Sequence, residues 1–317
     1  MNAIPNLHGR VVALSMSPPA DLGRLGFPTT EFDQVVFNLC MRVIRAQGRI
    51  LFGGHLQEGG ITARMFECIA HAYAPPALRE GGRMAKPFLH LLPLSEFRRV
   101  SFARVFEIQS QFGSFLETRV IVDENVHLSV SRRSDKLTIH DTEGKRAPFI
   151  IDTPADFAKF SSDLPTRREA DALTAMRNAA RILTRARIAL GGKRGDLGVS
   201  GDRDRFFGAM PGIYEETISS IESRTPFVVL GAYGGAARDV AIDLGLIDPN
   251  LETPYLGEIQ PDYGDARARM REMGRELSQA DRDTAVEFVL REDCEVLARD
   301  VIAVIARRLE PSQTRFR

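Results

Sequence analysis

The sequence predicts an α/β fold with a doubly wound, mostly parallel sheet, a β-rich insertion and C-terminal helices. Three observations predict it. Apolar runs of strand length alternate with segments of helical period between residues 11 and 93, and again from 168 to 246. The strand ends run into turns of glycine or other small residues. Between residues 115 and 151 the chain changes to short alternating runs joined by Asp-Glu-Asn and Asp-Thr-Glu-Gly turns, a hairpin pattern.

The first strand is "VVALSM" (11–16), ended by Pro18 and Pro19. "TTEFDQVVFNLCMRVIRAQG" reads as a helix, with Thr30 as N-cap and Gly48 at C′. Val36, Leu39, Val43 and Ile44 fall on one stripe. "RILFGG" (49–54) is the next strand, and the turn "GGHLQEGG" (53–60) leads to a helix "ARMFECIAHAYA" that Thr62 caps. "PFLHLLP" (87–93) is a third strand. Strand–helix–strand–helix–strand argues for parallel pairing with right-handed crossovers.

"FLETRVIVDE", "VHLSVSRR", "LTIHD" and "PFIID" then form an insertion or flap at about 105–151, too short for a core of its own. The α/β rhythm resumes with a helix at 168–186, a strand "RIALGG" (187–192), a polar loop, a helix opening at "MPGIYEE", and a strand–turn–helix "PFVVLGAYGGAARDVAIDLGL". A loop-like stretch (247–264) precedes a helix at 265–277 and a long one at about 281–309. The stripe Val286, Leu290, Cys294, Leu297, Val301, Val304, Ile305 suits packing on the sheet or a dimer seam.

The totals limit the function. With 42 basic and 42 acidic side chains the chain is neutral, so a nucleic-acid track is not expected. Cys40, Cys68 and Cys294 are far apart and read as small core residues, neither a disulfide framework nor a zinc ribbon. The six histidines show no metal-binding spacing, and no metal or obligatory cofactor is expected. The N-terminus lacks an apolar signal stretch and no run reaches membrane-span length, so the expected location is the cytoplasm.

Four strand ends carry the functional argument: Leu14–Ser17, Gly53–Gly60, Gly191–Gly195 and Gly231–Gly235. In a parallel sheet these share one edge, where ligands bind. Helix N-termini on that edge offer free N–H groups and the positive dipole end, which favours phosphate. Each turn alone fits tight strand-to-helix packing, since Gly231-Ala-Tyr-Gly-Gly is not a dinucleotide fingerprint and Gly192-Lys193 lacks P-loop spacing. Together they predict a small phosphate-bearing ligand held by Ser15, Ser17, Gly53, Gly54, His55, Gly60, Thr62, Gly191, Gly192, Lys193, Arg194, Gly231, Gly234 and Gly235. Lys193 and Arg194 are candidates for phosphate oxygens, or form a solvated basic loop. Tyr214 and Tyr233 are candidates for base stacking, or pack. Glu215 and Glu216 serve as dipole partners of their helix, or bind ribose.

"RILFGGHLQEGGIT" after the "ALSMSPP" strand, then "IALGGKRG", "MPGIYEE" and "PFVVLGAYGGAARDVA", resembles the SLOG superfamily. This Rossmann-like group includes the Lonely Guy phosphoribohydrolases, DprA, and nucleotide-sensing domains of bacterial conflict systems and TRPM channels. The resemblance covers residues 10–95 and 185–245. It implies a nucleotide at the glycine edge, with residues 1–250 as the binding domain and 251–317 as a helical extension packing on it or on a second subunit. Pro211, Gly212 and Glu216 match the ends of the phosphoribohydrolase signature "PGGxGTxxEE", but Ile213-Tyr214 replaces its Gly-x-Gly-Thr centre.

Three readings follow. The first is a sensor for a nucleotide or NAD-derived signal, acting through a homo-oligomer or a separate effector protein. The second is a nucleotide N-glycosidic hydrolase or transferase using Glu215 or Glu216. The third is a scaffold with an empty crevice.

Overall fold

A computed structural model of the chain describes residues 5–72, 86–145 and 147–310. Tyr73 and Ala74, the end of the second expected helix, lie outside the described residues. The first half runs β1 (Val11–Ser17), α1 (Thr29–Arg45), β2 (Arg49–Gly53), α2 (Ile61–Ala72), β3 (Phe88–Pro93), α3 (Leu94–Phe97), α4 (Phe102–Phe112), β4 (Leu116–Ile121), β5 (His127–Arg133), β6 (Lys136–Asp141) and β7 (Phe149–Ile151). The second half runs α5 (Pro154–Asp163), α6 (Glu169–Leu183), β8 (Ala186–Gly191), α7 (Gly212–Glu222), β9 (Phe227–Leu230), α8 (Gly235–Asp243), α9 (Asp262–Glu276), α10 (Gln279–Phe288) and α11 (Cys294–Leu309).

All the strands form one sheet in the order β7-β6-β5-β4-β3-β2-β1-β8-β9. From β4 to β9 in that order every pairing is parallel. The chain steps outward from β1 to β4, then crosses back so that β8 lies beside β1, with Val12 opposite Ala186 and Ser17 opposite Gly191. The order therefore reverses between β1 and β8. In open α/β sheets ligands bind at such a reversal, outside the strand carboxyl ends.

Helices cover both faces, and the alternation within β1 shows it. Val12, Leu14 and Met16 point into the core shared with α1, α2 and α11. Val11 and Ala13 point to the other face, against Ala175, Met176, Ala179 and Ala180 of α6. Small alanines let α6 lie close on the sheet. A further cluster joins Ala189 of β8 and Val229 of β9 to α7, α8 and α9.

Several expectations change in detail. β4 pairs in parallel with β3, and β5, β6 and β7 continue the same sheet as an antiparallel edge. The β-rich region is thus an extension of the sheet, not a flap, and α4 precedes it. α1 begins at Thr29 behind Pro28, so Thr30 is inside the helix, and its left-handed terminal residue is Gln47 (φ 62°), not Gly48. Thr62 sits within the first turn of α2. The long final helix is two helices, broken before Asp293, the N-cap of α11. Its stripe divides accordingly: Leu297, Val301, Val304 and Ile305 are buried, while Val286 and Leu290 are exposed. Cys40 is buried, but Cys68 faces solvent and Cys294 is half-buried. Among the described residues no helix is long and apolar enough to cross a membrane.

Candidate functional site

At the reversal between β1 and β8 lies an open cavity of about 220 Å³. The ends of β1, β2 and β8 form its floor, through Ser15 and Ser17, Gly53, Gly54 and His55, and Gly192 and Lys193. Gly212 and Ile213, the first residues of α7, form one wall, and Met176 and Arg177 of α6 close another.

The local backbone explains the glycines that matter here. Gly192 has φ +93°, and a Cβ on it would fall 2.4 Å from Ile213 Cγ1. Only glycine lets β8 turn so sharply beneath α7. Gly212 serves a different purpose: a Cβ there would stand 2.8 Å from Arg177 Nη2. Its bare backbone seats the Arg177 guanidinium against the start of α7. No side chain caps that helix, so its first N–H groups are left for an anion.

Beneath the floor is a charged network that the sequence patterns did not disclose. Arg187, on β8, is fully buried. Its Nη1 donates to Ser15 Oγ and to Glu216 Oε2, each at 2.5 Å, and its Nε donates to Ser220 Oγ at 2.9 Å. Ser15 in turn donates to Glu216 Oε2. Arg177 pairs with Glu215, and its Nε lies 3.8 Å from Glu216 Oε1. Glu216 therefore lines the cavity while tethered from below, and Glu215 stands beside it, outside the lining.

Lys193 is the cation most available to a ligand. Its Nζ donates to the Asp202 carbonyl at 3.1 Å and lies 5.3 Å from the ring centre of Phe207. Burial lowers its pKa below the usual lysine range, partly offset by Asp204 and Asp202. Burial also lowers the pKa of His55, with Lys193 adding to the effect and Glu96 opposing it. His90, on β3, supports this corner: its Nε2 meets the Gly54 carbonyl at 2.9 Å. Burial holds the His90 imidazole down to about 4, so the neutral ring donates this bond. At the rim, Arg99 bridges Glu96 and Glu169.

The remaining expected residues lie elsewhere. Arg194 turns away from the cavity and is fully buried. Its Nε donates to Asp239 at 2.8 Å and its guanidinium stacks 3.8 Å from the Tyr255 ring centre. Tyr214 is wholly buried with its hydroxyl on Asp243, and Tyr233 is wholly buried with its hydroxyl on the Glu292 carbonyl, so neither ring can stack on a base in the cavity. The turn after β9 shares the same edge, but its anion position is filled from within. Asp21 Oδ1 accepts the Gly235 amide, and a Cβ on Gly234 would meet Asp21 and Leu25. Gly231 packs on Val289, and Gly191 on the Ser17 carbonyl. Gly60, Thr62 and Pro211 lie outside the lining, with Thr62 buried. Three of the four turns thus meet at the cavity.

The residues missed were Arg187, Arg177, Phe206, Phe207, Glu96 and Glu169. Two signals were present: a lone arginine inside the apolar strand "ARIALG", and paired phenylalanines in a polar loop.

Comparison with known proteins agrees with this architecture. The family model described as SLOG cluster2 matches residues 6–299, nearly the whole chain, including the β-rich edge and most of the C-terminal helices. No curated protein matches the chain. A sheet that reverses beside β1, with glycine turns gathered at that reversal, is the frame over which the match extends, and the chain belongs to the SLOG family, in its cluster 2.

Proposed function

We propose that the protein holds a nucleotide, or a nucleotide signal derived from NAD, in the cavity between β1 and β8 and acts as a sensor. One observation carries this reading: Gly192, Lys193 and the uncapped start of α7 converge on a single pocket floored by the turns after β1 and β2. Free N–H groups, a positive dipole end and a lysine favour a phosphate there. The β2 turn, through Gly53, Gly54 and His55, is left for the sugar. Output then passes through a second copy of the chain or an effector protein.

The second reading is a nucleotide N-glycosidic hydrolase or transferase. Its support is the presence of Glu216 in the lining. The tether restricts it, since Arg187 and Ser15 occupy Glu216 Oε2 and leave only Oε1, 3.8 Å from Arg177 Nε, to act. A base or nucleophile needs a lone pair free to approach the reacting atom.

One preparation separates the readings. Purified protein is denatured and its supernatant analysed for nucleotide by mass spectrometry. The native protein is then screened by thermal shift against mononucleotides, dinucleotides and cyclic messengers. Saturating ligand at a hundredfold excess over Kd adds about 2.7 kcal/mol of stability, which is readily seen. A sensor stabilises with ligand and returns it intact. Free base lost in the Glu215→Gln plus Glu216→Gln protein supports the hydrolase. No shift with any compound overturns both.

A further inference from the structure

Phe207 is the outlier among the residues around the cavity. The residue is 44% exposed although it lines the pocket. Exposed phenylalanines are ordinary on mobile segments, but this one is held from both sides. The side-chain amide of Gln260 pairs with the backbone of Phe206, accepting its N–H at 2.9 Å and donating to its carbonyl at 3.2 Å. On the other side, Gly208 packs so closely on Arg177 that a Cβ would fall 2.6 Å from Nη1. The backbone is thus held by hydrogen bonds immediately before Phe207 and packed closely immediately after it, and Lys193 Nζ lies over the ring, 5.3 Å from its centre. A rigid aromatic face next to a cation suits a ligand with a flat ring a few ångströms from a phosphate.

We infer that Phe207 is the base-stacking residue of the cavity, so that the ligand is bound with its phosphate toward Lys193 and its nucleobase on the Phe207 ring. This rests on the reading given under Proposed function. It assigns the stacking role to the loop between β8 and α7, and it makes binding tolerant of base identity, because every base has a π-face.

The test uses 5′-AMP, ADP-ribose and ribose 5-phosphate as probes, measured by calorimetry on the full chain. Stacking is worth about five- to 150-fold in affinity per base. Phe207→Ala is expected to lose that factor for AMP and ADP-ribose while binding ribose 5-phosphate unchanged. Phe207→Trp is expected to restore it. The chain has no tryptophan, so the emission of that variant reports the contact directly. It should change with AMP and stay constant with ribose 5-phosphate. Equal affinity of wild type and Phe207→Ala for AMP overturns the inference, and so does a parallel loss for all probes, which marks a structural role. Both outcomes leave nucleotide binding standing. If wild type binds none of the probes, the nucleotide reading falls first and this inference falls with it.

Discussion

Asp21 Oδ1 accepts the backbone amide of Gly235 at 2.9 Å, joining the loop after β1 to the start of α8 across 214 positions of sequence. Asp21 is fully buried, and its other oxygen lies 3.6 Å from Arg194 Nη1. A carboxylate at a helix N-terminus supplies the interaction that a bound anion would. The fourth glycine turn therefore carries its own anion.

Removing that carboxylate should be costly. Asp21→Ala leaves the Gly235 amide and one side of Arg194 without a partner in a dry environment, and breaking a buried pair costs about 3–5 kcal/mol. Asp21→Asn keeps the acceptor and loses the charge, so it should fall between Ala and wild type. Urea midpoints at constant m-value give the order. Equal midpoints for all three would show that Asp21 does not hold α8.

Gly192→Ala should destabilise by about 1–3 kcal/mol, the usual cost of a non-glycine residue in a strained backbone region. Here φ is +93° and the new Cβ meets Ile213. Chemical unfolding measures the loss. Ligand affinity should fall with it, because Gly192 and Ile213 both line the cavity.

Arg187→Met should cost about 3–5 kcal/mol, since it leaves Glu216 and Ser15 without their buried donor. Adding Glu216→Gln should recover part of that loss. A double-mutant cycle should give a coupling of about 0.5–3 kcal/mol. A coupling near zero would mean that the two side chains do not act as a unit.

His90 predicts a pH dependence. Its pKa is held to about 4 by burial, against about 6.5 when unfolded. Between these values the unfolded chain binds more protons. The stability contributed by His90 is therefore complete above pH 6.5 and is lost as the pH falls toward 4, by roughly 3 kcal/mol. His90→Gln can still donate to Gly54 but does not titrate. Its stability should decline less than wild type between pH 7 and pH 4, as read from urea midpoints. Matching slopes would remove His90 as the cause.

The frame of the fold was readable because its signals are local. "VVALSM" and "FVVL" are continuous apolar runs because their strands are covered on both faces. The turns announced themselves by glycine. What was not readable depends on partners distant in sequence. Arg187 meets Ser15 and Glu216, and Asp21 meets Gly235, contacts that only the crossover between β1 and β8 creates. Helical period runs straight through Leu290–Glu292, and no glycine or proline marks the break before Asp293. Tyr214 and Tyr233 could stack on a base or pack, and burial shows that both pack.

The placement of β8 beside β1 has a consequence for how the chain is made. The pocket floor is contributed by residues near Ser15 and Gly53, and its wall by α6, Gly192 and α7. During synthesis the first strands emerge and can pair long before β8 exists, whereas the pocket is absent until translation has passed Glu222. α11 settles against α1 later still. A nascent chain stalled on the ribosome before α7 would be partly folded yet without this cavity, whose wall takes shape only once α7 has been made.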